Sequence, residues 1–218
     1  MNVGSPRQRK AGRRARVGLS FCLALVTVPL TSALARAQTD AKITVRVYNY
    51  AQVPGGALAR AEAEAQRILS AAGVDSVWLD CWQPPSQFQS SANHDCSGPL
   101  SGATVAVRIL PGSTKGEVFS RDSDLGFAAG GGLASVFYGR ITNFAKGGNG
   151  KDSDIPVILG DAITHELGHL LLGPGAHSPT GIMCGHWDRD YLRLALRGRQ
   201  LFTPQQSALL QANVLRRQ

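Results

Sequence analysis

The chain has 218 residues, enough for one domain with a substantial core and too short for two of ordinary size. Its formal net charge is +8, but Arg7, Arg9, Lys10, Arg13, Arg14, Arg16 and Arg36 supply seven positive charges within the first 37 positions, which hold no acid. The remainder has 16 basic and 15 acidic residues, and so near-neutral a body argues against a nucleic-acid partner.

The leader has a basic start, an apolar run from Val17 to about Leu30, and the small-residue pattern Ala33-Leu34-Ala35-Arg36-Ala37. This is the layout of a cleavable signal over residues 1–37, with cleavage after Ala35 or Ala37. Thr27 and Pro29 interrupt the run, which falls short of the roughly 20 apolar residues that a membrane span needs. A mature domain over 38–218 is therefore expected to be periplasmic or secreted, without stable membrane association. Of the four cysteines, Cys22 falls in the leader. Export permits disulfides, and Cys81 and Cys96 bracket a polar, proline-containing loop that a bridge would staple, leaving Cys184 over.

Residues 42–50 alternate with period two and predict a half-buried strand. From Ala57 to Ala72 the residues Leu58, Ala61, Ala65, Ile68, Leu69 and Ala72 form a helical stripe, with Gly73 as the stop. Val77 to Trp82 and Thr104 to Leu110 read as strands, and the Pro-, Ser- and Gln-rich stretch 83–102 between them as loop. Gly126-Phe127-Ala128 suggests a short extended piece, Leu133 to Ile141 a clearer strand, and Ala145 to Asp154 a glycine-rich loop. Ile155 to Leu172 predicts a helix, with Asp154 as candidate cap, Pro156 in its first turn and Gly173-Pro174 beyond its end. It is apolar on nearly every face, as a helix buried all round must be. Irregular chain follows, then a last helix opened by the capping-box-like Thr203-Pro204-Gln205-Gln206. This order is an α/β arrangement in one domain.

The buried helix carries Thr164-His165-Glu166-Leu167-Gly168-His169. Histidines four apart lie on one helical face, about 6 Å apart along the axis, within reach of one zinc ion. Glu166 stands where it can take a proton from a water on that metal. No glutamate follows Glu166, so the class of zinc protease with a downstream Glu ligand is excluded. His177 is the preferred third ligand, because a turn through Gly173-Pro174-Gly175 folds it back over the helix end; His186, Asp188, Asp190 and Cys184 are the alternatives.

From Thr164 to Met183 the chain resembles the metzincin zinc peptidases, whose pattern is H-E-x-x-H, a glycine turn, a third His and a downstream Met on a tight turn. Met183, the only methionine after the leader, lies in Gly181-Ile182-Met183. The spacing departs from the family's usual one. Its glycine and third histidine follow the second ligand by about three and six residues; here Gly173 and His177 come four and eight after His169. The resemblance is to small secreted bacterial members. It implies a zincin fold: a twisted, mostly parallel sheet with an antiparallel edge strand, a backing helix, an active-site helix, and a small C-terminal subdomain ending in a helix. It also implies that Leu133 to Ile141 is the edge strand above the cleft, where an extended peptide adds. His186 is expected near the metal, as a supporting or substrate-side group.

The activity so implied is that of a zinc endopeptidase with one catalytic zinc on His165, His169 and His177, Glu166 as general base, and Met183 beneath. The chain is expected to act on peptides or proteins as a monomer. The alternative is an exported zinc-binding protein of the same fold without peptidase activity. The acidic loops at 121–124 and 152–154 give calcium weak support, since their ligand spacing is incomplete.

Overall fold

In a computed structural model, which describes residues 40–81, 94–100, 102–112, 125–148 and 150–218, the first strand lies inside a sheet, next to one edge. β1 (Ala41–Asn49) pairs in parallel with β2 (Val74–Asp80) on one side and β3 (Thr104–Leu110) on the other. β5 (Leu133–Phe137) adds in parallel to β3, and β4 (Gly126–Ala128) adds antiparallel to β5, giving the order β2-β1-β3-β5-β4. The register places Val45 opposite Val105 and Ile109 opposite Val136, so Ile43, Val45, Val47, Val105, Val107, Ile109, Ala134 and Val136 form one dry layer. β-branched side chains suit such a doubly flanked parallel surface.

Against this sheet pack α1 (Gly55–Ala71) and α4 (Ile155–Leu172), which also pack on each other. α1 buries the predicted stripe Leu58, Ala61, Ala65, Ile68 and Leu69. Gly73, at φ +74°, turns the chain directly into β2, so β2 starts three residues earlier than the sequence suggests. α4 is buried at 14 of its 18 positions, which accounts for its lack of a polar face. With the 3₁₀ turn Asp152–Asp154 ahead of it, α4 is long and apolar enough to cross a membrane, yet most of that stretch is packed inside the protein. The Asp154 side chain does not cap α4. It accepts the Lys151 N–H at 2.8 Å, while Asp152 faces the Lys146 ammonium at 3.3 Å.

The short helix α2 (His94–Ser97) and the residues after it meet β1, where Arg46 Nη1 donates to the Gly98 carbonyl at 2.5 Å and the Tyr48 hydroxyl to the Cys96 carbonyl at 3.1 Å. Cys81 and Cys96 are joined in a disulfide across 15 positions, as expected. A closed loop of that length restricts the unfolded chain by about 3 kcal/mol. The expected signal segment, most of the expected loop before residue 102 and the acidic stretch 121–124 lie outside the described residues.

The structure corrects the expectation for Leu133 to Ile141. The strand stops at Phe137, and Tyr138–Gly147 is a helix, α3, which takes in the start of the expected loop at 145–154. Ile141 and Ala145, four apart, are its fully buried positions, so the apolar run crosses from strand period to helix period without a break. β5 is therefore an inner strand, and the edge belongs to the three-residue β4. The stretch after α4, expected to be irregular, also holds α5 (Arg189–Ala195), capped by Asp188, whose carboxylate accepts the Tyr191 N–H at 2.8 Å. α6 (Pro204–Leu215) starts with the predicted capping box between Thr203 and Gln206.

The two helices meet at Gly160. A Cβ there would stand 2.5 Å from the Ala61 carbonyl oxygen and 2.8 Å from Glu64 Cβ. Backbone cannot yield at such a contact, so Gly160→Ala should force α1 from α4 and cost about 1–3 kcal/mol. Chemical denaturation reads this directly, and an unchanged midpoint would show that the helices are not in backbone contact there.

Candidate metal centre

α4 presents His165 and His169 one turn apart, and both reach the same point. The two Nε2 atoms are 3.1 Å apart. His177 Nε2 is 3.1 Å from that of His169, and the ring nitrogens of the three residues lie within 4.8 Å of one another. Nitrogens about 2.0–2.1 Å from a tetrahedral zinc stand roughly 3.3 Å apart, so this spacing is that of ligands around one ion.

The other ring nitrogens decide what the converging atoms are. His165 Nδ1 donates to the Ile182 carbonyl at 2.8 Å, and His169 Nδ1 to the Gly173 carbonyl at 3.4 Å. A carbonyl can only accept, so in the neutral ring each Nδ1 carries the hydrogen and each Nε2 a bare lone pair. Two lone pairs aimed at each other across 3.1 Å repel unless a cation lies between them. This is also how protein carbonyls orient the histidines of metal sites. Among the described residues these three form the only group of His, Cys, Asp or Glu placed to share an ion.

His177 arrives by a local route. Gly173 ends α4 at φ +105°, a value closed to other residues, while its N–H still donates to the His169 carbonyl at 3.0 Å. Of the two residues by which the spacing exceeds the metzincin pattern, one precedes Gly173 and the other falls in the turn that follows. Three contacts then fix the arm. The Gln206 amide donates to the Ala176 carbonyl at 2.9 Å, the Ser178 N–H to the Met183 carbonyl at 2.9 Å, and Gly185 lies against the His177 ring, where a Cβ would sit 3.1 Å from Nδ1.

Met183 and Ile182 are fully buried beneath α4. Gly181, at φ +80°, leaves no room for a Cβ beside the Leu201 carbonyl, and the Ile182 N–H donates to that same oxygen at 3.0 Å. The Met183 thioether fills the space that a side chain at Gly168 would need, between the two helical histidines. The turn thus supplies the carbonyl that orients His165 and packs Met183 on α4 at Gly168.

A cleft of about 1130 Å³ opens over this cluster, with Gly126, Phe127 and Ala128 of β4 on one wall. Glu166 lines it and is otherwise buried, pressed against β4: a Cβ on Gly126 would come 2.9 Å from Glu166 Oε1 and 2.6 Å from the Ser135 carbonyl. Cys184 and His186 also line the cleft. Cys184 is a free, half-buried thiol that donates to the His186 carbonyl at 3.2 Å. Asp188 and Asp190 are used elsewhere, Asp188 as helix cap and Asp190 as partner of Arg193.

Two contributors escaped the sequence reading. Trp187 packs edge-on against His165 at 5.9 Å between ring centroids, stacks on Tyr191 at 3.9 Å, and donates its indole N–H to the Cys184 carbonyl. The Tyr191 hydroxyl in turn donates to the buried Asp161 carboxyl at 3.4 Å. Burial, with Glu64 nearby, holds Asp161 well above the usual carboxylate range. An aromatic directly after His186 was the available signal for this wall. Gly126 had none, because its role depends on a strand pairing.

Solved structures share this fold. A zinc-dependent peptidase from Methanocorpusculum labreanum (strain Z) matches 76% of this chain and 99% of its own at 18% identity and a TM-score of 0.51. The archaemetzincin of Methanopyrus kandleri matches 82% of this chain and 99% of its own at 16% identity and a TM-score of 0.50. The fold is that of zinc-dependent peptidases. No protein-family model matches the sequence, and no curated protein does.

Burial sets the protonation of the cluster. Desolvation pushes His165 down to about 4, opposed by its bond to Ile182 and aided by His169 and His177; desolvation also lowers His169. For His165 and His169, burial thus favours the neutral ring that metal binding requires. For His165 the unfolded chain binds a proton near 6.5 and the folded chain near 4. Between these values the unfolded state carries more protons, so acidification removes stability, by at most about 1.4 kcal/mol per pH unit for one group. The metal-free protein should therefore lose denaturation midpoint from pH 6.5 toward 4, and His165→Asn should flatten that slope. Equal slopes in the two proteins would contradict a desolvated, neutral His165.

Proposed function

We propose that the mature chain is a secreted zinc-dependent endopeptidase of metzincin type. The observation that carries this reading is the meeting of three oriented imidazoles beside Glu166 under an open cleft. The peptidase fold of the two solved structures supports it. The basic, apolar leader with its small-residue cleavage pattern supports export.

In this reading His165, His169 and His177 hold the zinc, and Met183 forms the Met-turn below them. Zinc in such a site supplies Lewis acidity, which acidifies a water and polarises a carbonyl. Glu166 takes the proton of the attacking water on its carboxylate and delivers it to the departing amine. Gly126, having no side chain, lets that carboxylate lie against β4 without displacing the strand. A peptide adds antiparallel to β4, whose outer edge is unpaired among the described residues. Trp187 closes the far side of His165 and keeps water from that flank.

Metal analysis and a general peptide-cleavage assay on the same samples test the assignment. Wild type should hold one zinc and cleave. His177→Ala should lose the metal, and Glu166→Ala should keep it while losing roughly 10²–10⁴-fold in turnover. Zinc lost from Glu166→Ala, or cleavage retained by it, would remove the general-base role. A protein that holds zinc but never cleaves would be a zinc-binding protein of the same fold.

Gly126→Ala separates the support of the carboxylate from metal binding. The new methyl collides with the Ser135 carbonyl and with Glu166, so turnover should fall at least tenfold while zinc content stays at the wild-type level. Unaltered turnover would show that Glu166 does not depend on this contact.

A further inference from the structure

The cleft has a charged end that the peptidase reading leaves unused. Besides Glu166, the histidines and the Cys184 thiol, its described lining holds one charged side chain, Arg217. Arg217 follows α6, and its guanidinium Nη2 donates to the Leu170 carbonyl at 2.6 Å, one residue past His169. No carboxylate among the described residues pairs with it. Most of its five N–H donors are therefore left for other partners.

A half-buried guanidinium in this state is only partly compensated for lost hydration, and an incoming carboxylate completes it. Nor is the group a wandering surface charge. Asn213 donates to the Leu171 carbonyl at 2.6 Å, Gln211 to the Ala72 carbonyl at 2.9 Å, and Gln218 to the Lys42 carbonyl at 2.9 Å. These bonds tie the C-terminal segment to α4, α1 and β1 on both sides of Arg217. The backbone of Arg217 also seats on Gly102, where a Cβ would be 3.0 Å from its carbonyl oxygen.

The direction of β4 says which part of a peptide meets this charge. β4 runs from Gly126, beside Glu166, to Ala128, and the chain continues through Gly130–Gly132 at the end of the cleft that holds Gly102 and Arg217. A strand added antiparallel to β4 runs the opposite way. Its N-terminal residues lie toward Ala128 and Arg217, its C-terminal residues toward Gly126.

We propose that Arg217 is a specificity determinant that selects peptides bearing an aspartate or glutamate on the N-terminal side of the scissile bond. This rests on the peptidase reading for the path of the peptide and on the half-buried, unpaired guanidinium for its charge. The contact is a charge-assisted hydrogen bond, bidentate where geometry allows, and Arg serves here better than Lys.

The test uses end-blocked octapeptides in which a single Glu, or its uncharged isostere Gln, is walked through every position. Binding is measured to the zinc-loaded Glu166→Ala protein, and cleavage by the zinc-loaded wild type is mapped by mass spectrometry. Glu should beat Gln about tenfold at one or two positions N-terminal to the cut. Arg217→Met should bring that ratio to near one, Arg217→Lys should keep part of it, and Arg217→Glu should invert it in favour of a Lys-bearing peptide. Zinc content equal to wild type shows that the centre is intact in each variant.

A ratio near one at every position in the wild type overturns the proposal. So does an advantage confined to the C-terminal side, or one that survives in Arg217→Met. Cleavage without a Glu preference removes the role of Arg217 and leaves the peptidase. A Glu preference in binding that depends on Arg217, with no peptide cut, upholds the acidic site and removes the peptidase.

Discussion

Two imidazole lone pairs, held face to face by backbone carbonyls, are the constraint on which the rest of the site depends. Ile182 and Gly173 each accept the hydrogen of one ring, which leaves the opposite nitrogens bare and 3.1 Å apart. Burial then raises the cost of relieving the repulsion by protonation, since an imidazolium loses hydration there. A metal cation relieves it without proton uptake, and His177 provides a third donor at the same separation. Three imidazole nitrogens suit a borderline divalent ion, zinc among them.

Such a cluster needs a helix that can be buried on every side and still approached closely. The glycines of α4 serve that end. Gly160 brings α1 into backbone contact, and Gly168 makes room for Met183. Hydrophobic burial of Ile158, Leu159, Ile163, Leu167 and Leu171 fixes the helix axis, so the two histidines and Glu166 are presented by a rigid element instead of a loop. The same burial makes the helix too apolar to carry a solvated face, and the polar groups on it turn to partners inside the protein. Thr164 donates to the Gly160 carbonyl at 2.8 Å, and Asp161 takes Tyr191 as partner.

What could be read in the sequence was whatever chemistry is local. The helix 155–172 and its four-residue histidine spacing, the capping box at Thr203 and the glycine stops at 73 and 173 all depend on residues within a turn of one another. The bridge between Cys81 and Cys96 also followed, since the two bracket one loop and leave few alternatives. The failures lay where the deciding contact is remote. Leu133 to Ile141 is apolar throughout, and only packing of Ile141 and Ala145 on the core shows that the second half is helix. The edge strand was assigned to the more apolar segment, but β4 is short and flanked by glycine, as an edge kept from self-association tends to be. α5 is only seven residues long, too short to show a clear apolar stripe, and its cap, Asp188, also reads as a candidate metal ligand.

The third histidine shows how far the site extends beyond its motif. His177 lies outside any regular element, and a loop of that kind left to itself would pay conformational entropy each time a metal bound. Here α6 removes much of that cost. Gln206 belongs to the capping box that opens the helix, and its amide also grips the Ala176 carbonyl, so helix formation at 204–215 and placement of residue 177 share one side chain. Farther along the same helix Asn213 holds the last turn of α4. The metal centre is therefore built by both ends of one unit: the helix that carries two ligands and the C-terminal helix that disciplines the third. A site shaped before the ion arrives spends little of its binding energy on ordering protein, and what remains goes to affinity and to a fixed open coordination position.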